Sequence, residues 1–231
     1  MIKTLKSITL VVFVALSGNA GFAQSQKYQW KENTEGGYKY RYVTNDPTQS
    51  RFYTLKNGLT VMLSPSKKVP RIQTYVVTKA GSKTDPKDHT GLAHYLEHLL
   101  FKGTDKYGSR DWTQEKPLLD KISALYEKYN STTDETQRKE IYREIDQVSG
   151  EAAKFAIANE YDKMMSGMGA DGTNAYTSFE QTVYVEDIPN NVVDKFLTVQ
   201  GERFRNPVFR LFHTELEAVY EEKNIGLDND G

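Results

Sequence analysis

There is no cysteine anywhere in the 231 residues. A disulfide framework, a thiolate nucleophile, a lipid-bearing Cys and any sulfur ligand are thereby excluded, so a metal site would have to be built from His and carboxylate. Neither sign of charge is in excess, since 30 Lys and Arg face 31 Asp and Glu for a formal net charge of -1. Nucleic acid is not an expected partner, because no basic stripe is present to bind a polyanion. Long apolar runs are missing too. The most apolar stretch, Ile8 to Leu16, falls far short of the ~20 residues that a membrane-spanning helix needs. It follows Lys3 and Lys6 and precedes the small residues Ser17 to Ala23, with Gly21 and Ala23 at the positions where a signal peptidase reads small side chains. Residues 1–23 are therefore expected to be a signal peptide. Its removal leaves a mildly acidic exported chain without a membrane span, destined for the periplasm, the cell envelope or the exterior. The length suits one large or two small domains with a core of their own.

Histidine is scarce as well, with four in all, at positions 89, 94, 98 and 213. Two of these fall in His94-Tyr95-Leu96-Glu97-His98, within the run Gly91 to Thr104. On a helix the two imidazoles stand four residues apart, about 40° around the axis, and Glu97 lies about 60° to the other side of His94. Leu92, Leu96 and Leu99 cluster about half a turn away, a spacing that predicts an apolar face turned to the core. Two nitrogen ligands one helical turn apart, beside a Glu free to act as general base, are half of a zinc site for peptide hydrolysis. The order His-x-x-Glu-His inverts the commoner zincin motif. A solvated helix face is the competing reading of so short a motif. A third protein ligand is still required.

Gln24 to Ser50 is polar, without sustained periodicity, and reads as a leader arm over 24–50. From Arg51 the pattern is strand-like. Arg51 to Leu55 and Leu59 to Leu63 flank Lys56-Asn57-Gly58, and Asn-Gly between apolar runs signals a hairpin. A further strand is expected over Arg71 to Thr78, then a polar loop from Gly81 to Thr90, with Thr90 as N-cap of the histidine helix. Ser109 to Met168 reads as an amphipathic helical hairpin. Leu118, Ile122, Leu125 and Tyr129 make one stripe, and Ile141, Ile145, Val148, Ala152 and Phe155 the other, with charged faces expected in solvent. Short strands follow over 173–177 and 182–185, then a helix from about Asn191 to Arg203. These signals together imply an α+β fold, a mostly antiparallel sheet flanked by helices, with the hairpin at 109–168 inserted.

The last segment holds the remaining candidates. Thr214-Glu215-Leu216-Glu217 is a capping-box pattern that starts a helix at Thr214 and runs it toward Gly226. Glu215 and Glu222 are two turns apart on that helix and share a face within about 20°. Either carboxylate could be the third ligand, and periodicity does not choose between them.

Four ordered blocks carry a family resemblance: Tyr53 to Leu59, Gly91 to Thr104, Asn174 to Ser178, and Glu215 to Asn224. With them the chain resembles the pitrilysin or insulinase-like zinc metallopeptidases, the inverzincins, from about Tyr53 onward. The resemblance implies one Zn2+ held by His94, His98 and Glu222, with Glu97 as general base on a water molecule and Glu215 as a supporting residue that orients the site. It implies that Asn174, Ala175, Tyr176 and Thr177 lie on the edge strand to which peptide substrates add as an extra strand, which favours extended or unfolded peptides. His89, Glu180 and His213 match no zinc position and are taken as loop or structural residues. Members work as paired homologous domains. Residues 51–231 are accordingly expected to be the amino-terminal metallopeptidase domain of a truncated chain that needs a second domain or subunit. A peptide-binding or assembly subunit without turnover is the alternative. The interval between His98 and Glu222 exceeds that of many relatives, and 109–168 accounts for the excess.

Overall fold

The computed structural model of the chain describes residues 28–229, so the signal peptide expected over 1–23 lies outside the described residues. The described residues fall into two compact units that divide between Lys68 and Val69. The first is an antiparallel meander of four strands in chain order, β1 (Trp30–Glu35), β2 (Tyr38–Val43), β3 (Arg51–Thr54) and β4 (Thr60–Leu63). The arm expected over 24–50 is thus regular from Trp30 to Val43, a correction of the sequence reading. In β1 every residue is exposed and no alternation marks the strand, whereas β2 alternates Tyr38, Tyr40 and Tyr42 with Lys39 and Arg41 and leaves Tyr40, Tyr42 and Val43 half-buried. The β3–β4 hairpin forms as expected, turning through Lys56 to Gly58 with the Gly58 N–H donating to Leu55 O at 2.9 Å.

The second unit contains a three-stranded antiparallel sheet of β5 (Arg71–Thr78), β6 (Asp171–Thr177) and β7 (Thr182–Pro189) in the order β5-β7-β6. The central strand β7 is buried along most of its length. Among the described residues six α-helices accompany the sheet: α1 (Leu92–Leu99), α2 (Trp112–Ser131), α3 (Glu135–Ala153), α4 (Glu160–Gly167), α5 (Val193–Arg205) and α6 (Phe212–Asn229). Tyr161 and Met165 of α4, Phe196 of α5 and Ile188 of β7 form the core beneath the sheet. The molecule is α+β, as the alternation of signals implied. No helix among the described residues is long and apolar enough to cross a membrane.

Helices α2 and α3 pair along the two predicted stripes. Leu125, Ile141, Ile145 and Val148 are buried between them, with Leu118, Ile122, Tyr126 and Tyr129 packed around. Asp111 and Asp134 cap the two helices, each accepting the N–H three residues on, from Gln114 and Gln137. The charged faces are not all in solvent, however. Glu115 on α2 is 1% exposed and ion-paired with Arg210, a burial no local pattern announces.

Candidate metal centre

Helix α1 carries the His94–His98 motif, and its start is built differently from the sequence reading. Gly91, at φ +93°, is the N-cap and offers no side chain. Thr90 does not cap the helix. Asp85 does so from six residues upstream, accepting the Gly91 N–H at 2.7 Å and the Ala93 N–H at 2.9 Å. A carboxylate there satisfies two orphan donors and sits at the positive end of the helix dipole. Asp85→Ala is accordingly expected to lower unfolding stability by about 1–2 kcal/mol in urea titration, while Thr90→Ala stays within about 0.5 kcal/mol of the parent. At the other end, Arg203 Nε donates to Leu100 O at 2.9 Å from a guanidinium stacked on Phe101, Tyr161 and Tyr184.

The apolar face of α1 is narrower than expected. Tyr95 and Leu99 are buried against Val219 of α6, but Leu92 and Leu96 remain 47% and 41% exposed, and Glu97, expected on the polar face, is buried. The reason is that α1 lies against both α6 and the strands β6 and β7, so its contact stripe is rotated toward Tyr95 and Glu97. Glu97 is accommodated by a hydrogen bond from Thr177 Oγ1 to its Oε2 at 2.6 Å.

Helix α6 begins at Phe212, two residues before the expected capping box, and extends through Asn229. The Glu215 N–H donates to Leu211 O at 3.0 Å, a bond of the first turn, so Thr214 lies inside the helix rather than at its cap. The two candidate acids of α6 face different nitrogens. Glu222 Oε2 lies 3.3 Å from His94 Nε2 and 3.6 Å from His98 Nε2, and the two Nε2 atoms are 3.2 Å apart. Glu215 Oε2 stands 3.4 Å from Nδ1 of His98, on the far side of that ring, while its Oε1 meets Lys102 Nζ at 2.6 Å.

The triangle of Nε2, Nε2 and Oε2 can be compared with what a metal demands. Zinc bound at ~2.0–2.1 Å with tetrahedral angles needs ligand atoms about 3.3–3.4 Å apart, which the observed 3.2–3.6 Å brackets. Three ligand atoms of this kind, lying within 4.8 Å of one another, leave a fourth tetrahedral position open. Among the described residues no other such group of three occurs. The Glu215 carboxylate on Nδ1 raises the basicity of His98 above its ordinary value, against the opposing effect of burial and with help from Glu222 and Glu97. Burial pushes the Glu215 carboxyl up, but the hydrogen bonds from His98 and Lys102 outweigh it and leave the group below the usual range. A carboxylate on the outer nitrogen of a ligand His fixes its tautomer and turns the other lone pair inward.

The four residues expected to bind substrate lie on β6, an edge of the sheet, paired on one side only with β7. The side chains of Asn174 and Tyr176 are exposed, whereas Thr177 turns in toward Glu97, a role that the sequence does not signal. Lys102 and Asp85 were likewise missed; each acts through a contact that only folding creates. His89 donates its N–H to Pro86 O within the loop, Glu180 pairs with Lys83, and His213 is hydrogen-bonded to Tyr126, all away from the ligand triangle.

Comparison with known proteins shows what the chain is similar to. Residues 60–138, which include α1 and its motif, match the insulinase (peptidase family M16) profile. The chain is 34% identical over 109 residues to an insulin-degrading enzyme homolog of Dictyostelium discoideum, covering 47% of this chain and 11% of that protein. It is 26% identical over 155 residues to an uncharacterized zinc protease of Rickettsia felis, covering 67% of this chain and 26% of that one. A protease of known structure from Helicobacter pylori superposes with a TM-score of 0.52 at 26% identity, over 79% of this chain and 32% of that one. The chain thus spans between about a tenth and a quarter of the length of these two curated relatives. Its similarity to the insulinase peptidases, family M16, is carried by residues 60–138 and by these relatives.

Proposed function

We propose that this chain is the zinc-binding amino-terminal part of a metalloendopeptidase that hydrolyses extended peptides. His94, His98 and Glu222 are its metal ligands, and the observation that carries the reading is their triangle of ligand atoms at tetrahedral spacing. Zinc in that position supplies Lewis acidity, lowering the pKa of a water toward ~7 and polarising a carbonyl. Glu97 is the general base. Its carboxylate, steadied at one oxygen by Thr177, takes the proton of the attacking water and hands it to the departing amine. Glu215 holds His98 by its outer nitrogen and is itself held by Lys102. Strand β6 receives the substrate by main-chain pairing along its open edge, which asks for an extended chain and little of its side chains. Because Thr177 ends that strand and touches Glu97, the same element would register the peptide and orient the base. Residues 51–231 are the metallopeptidase domain on this reading, and a homologous second domain or subunit completes the enzyme. Export to the periplasm or cell envelope belongs to the same proposal and rests on the pattern of residues 1–23.

Zinc per chain, measured after exhaustive dialysis of the purified chain and of a Glu222→Gln variant, is the test. About one zinc in the parent and little in the variant is the expected result. A folded parent without zinc, or a variant that retains it, would overturn the ligand set.

A further inference from the structure

Glu215 and Glu222 reach the histidines only if α6 sets out in the right direction. Its own hold on the fold is slight, for Val219 is its only buried apolar side chain among the described residues. The chain entering it is anchored far more firmly. Arg210 is 1% exposed, and its Nε donates to both oxygens of Glu115 on α2, at 2.7 and 2.9 Å. Its Nη2 donates to Thr104 O at 2.6 Å and its Nη1 to Lys102 O at 3.1 Å. Lys102 and Thr104 follow α1 directly. One guanidinium therefore ties the end of the histidine helix, the inserted hairpin and the approach to the carboxylate helix. The loop after α1 closes tightly around it: at Gly108, φ +91°, a Cβ would stand 2.5 Å from Lys102 O and 2.9 Å from Arg210 Nη1.

The next residue, Leu211, adopts φ +53°, a left-handed conformation unfavourable for a residue with a Cβ. Such a conformation persists where its surroundings over-determine it. Here both neighbours are fixed. Beyond Arg210 on one side, Phe212 O accepts the Tyr95 hydroxyl at 2.5 Å, and the His213 ring is hydrogen-bonded to the hydroxyl of Tyr126 on α2. The Tyr126 and Phe212 rings are also in contact, with centroids 5.9 Å apart.

We propose that the inserted hairpin is a positioning device for α6: through Glu115 and Tyr126 it holds Arg210 and His213, and so sets the direction in which α6 presents Glu215 and Glu222. The lever is long. At 1.5 Å per residue Glu222 lies about 15 Å along the axis from Phe212, so a tilt of ~10° moves it by about 2.6 Å, more than a whole metal–ligand bond. Glu115, Tyr126 and Arg210 are positioning residues on this account. Their consequence for zinc rests on the function proposed above.

Because the chain has no Cys, Leu92→Cys and Ile225→Cys place a single pair of spin labels on α1 and α6 of the full chain, at side chains 47% and 58% exposed. Interlabel distances are then measured in the parent and in Arg210→Lys and Tyr126→Phe backgrounds, with circular dichroism reporting the fold. The distance distribution is expected to broaden in both variants. Zinc affinity, measured without the labels, is expected to fall about ten-fold, with an altered spectrum on cobalt substitution. A hairpin that only stabilised the fold would lower the melting temperature yet leave the distribution and the spectrum as in the parent, and that result overturns the proposal. If Arg210→Lys does not fold, Tyr126→Phe, which removes one oxygen atom, decides alone. A parent that binds no zinc refutes the metal-site reading, while the distance distributions still decide the positioning role.

Discussion

Glu97→Gln is expected to leave one zinc per chain while lowering peptide turnover by the complete enzyme about 10²–10⁴-fold, the range over which a positioned acid or base contributes. The substitution is nearly isosteric. The amide oxygen can still accept the Thr177 hydroxyl that now donates to Oε2 at 2.6 Å, so the packing of Glu97 between α1 and β6 is retained. The ligand triangle involves other side chains and should keep its spacing. What is lost is the capacity to take a proton from water at neutral pH. Zinc content and kcat on an unfolded fluorogenic peptide, measured side by side, separate loss of the base from loss of the metal. Unchanged turnover with zinc in place would remove Glu97 from the chemistry and favour an assembly or binding role for this chain.

The second large effect concerns stability. Glu115→Ala is expected to destabilise the fold by about 3–5 kcal/mol, because it strands a buried guanidinium without its counter-charge. Arg210 and Glu115 are both nearly sealed from water, so solvent cannot replace the missing carboxylate. The loop carbonyls of Lys102 and Thr104 compensate only in part, since neither carries a full charge. For a unit of this size each kcal/mol shifts the melting temperature by about 2–4 °C. Glu127→Ala, at an exposed acid on the same helix, supplies the control and should stay within about 0.5 kcal/mol of the parent in the same calorimetric scan. A small effect at Glu115 would mean that the pair is wet or dispensable, contrary to its burial.

Local periodicity carried much of the architecture. The stripes Leu118 to Tyr129 and Ile141 to Phe155 foretold a helical hairpin, although Phe155 falls beyond the end of α3, because each helix needs only its own residues, and one partner close in sequence, to bury an apolar face. The Asn57-Gly58 turn was legible for the same reason. Where the pattern misled, the deciding partner was distant. Leu92 and Leu96 looked like core residues, but the contact stripe of α1 is set by α6 and by the strands β6 and β7. The strand at Trp30–Glu35 carries no period because all of its side chains are exposed, whereas Tyr38–Val43 does alternate aromatic with basic residues, a two-residue period obscured by its polar surroundings.

For the candidate site the division is similar. That His94 and His98 stand side by side was determined by the sequence itself, since a repeat of 3.6 residues puts positions four apart on one side of a helix whatever surrounds it, whereas the burial of Glu97 was set by the packing of α1. Tertiary structure decided the rest: that Glu222 faces both Nε2 atoms while Glu215 faces Nδ1, that Asp85 caps α1, that Thr177 holds Glu97, and that Arg210 joins α2 to the approach to α6. Apart from the Asp85 cap, these contacts span large sequence separations, 80 residues for Thr177 with Glu97 and 95 for Arg210 with Glu115. A carboxylate's local sequence says only that it prefers water or a counter-charge. Which imidazole or guanidinium it meets depends on the packing of whole elements, and that exists only once the chain has folded.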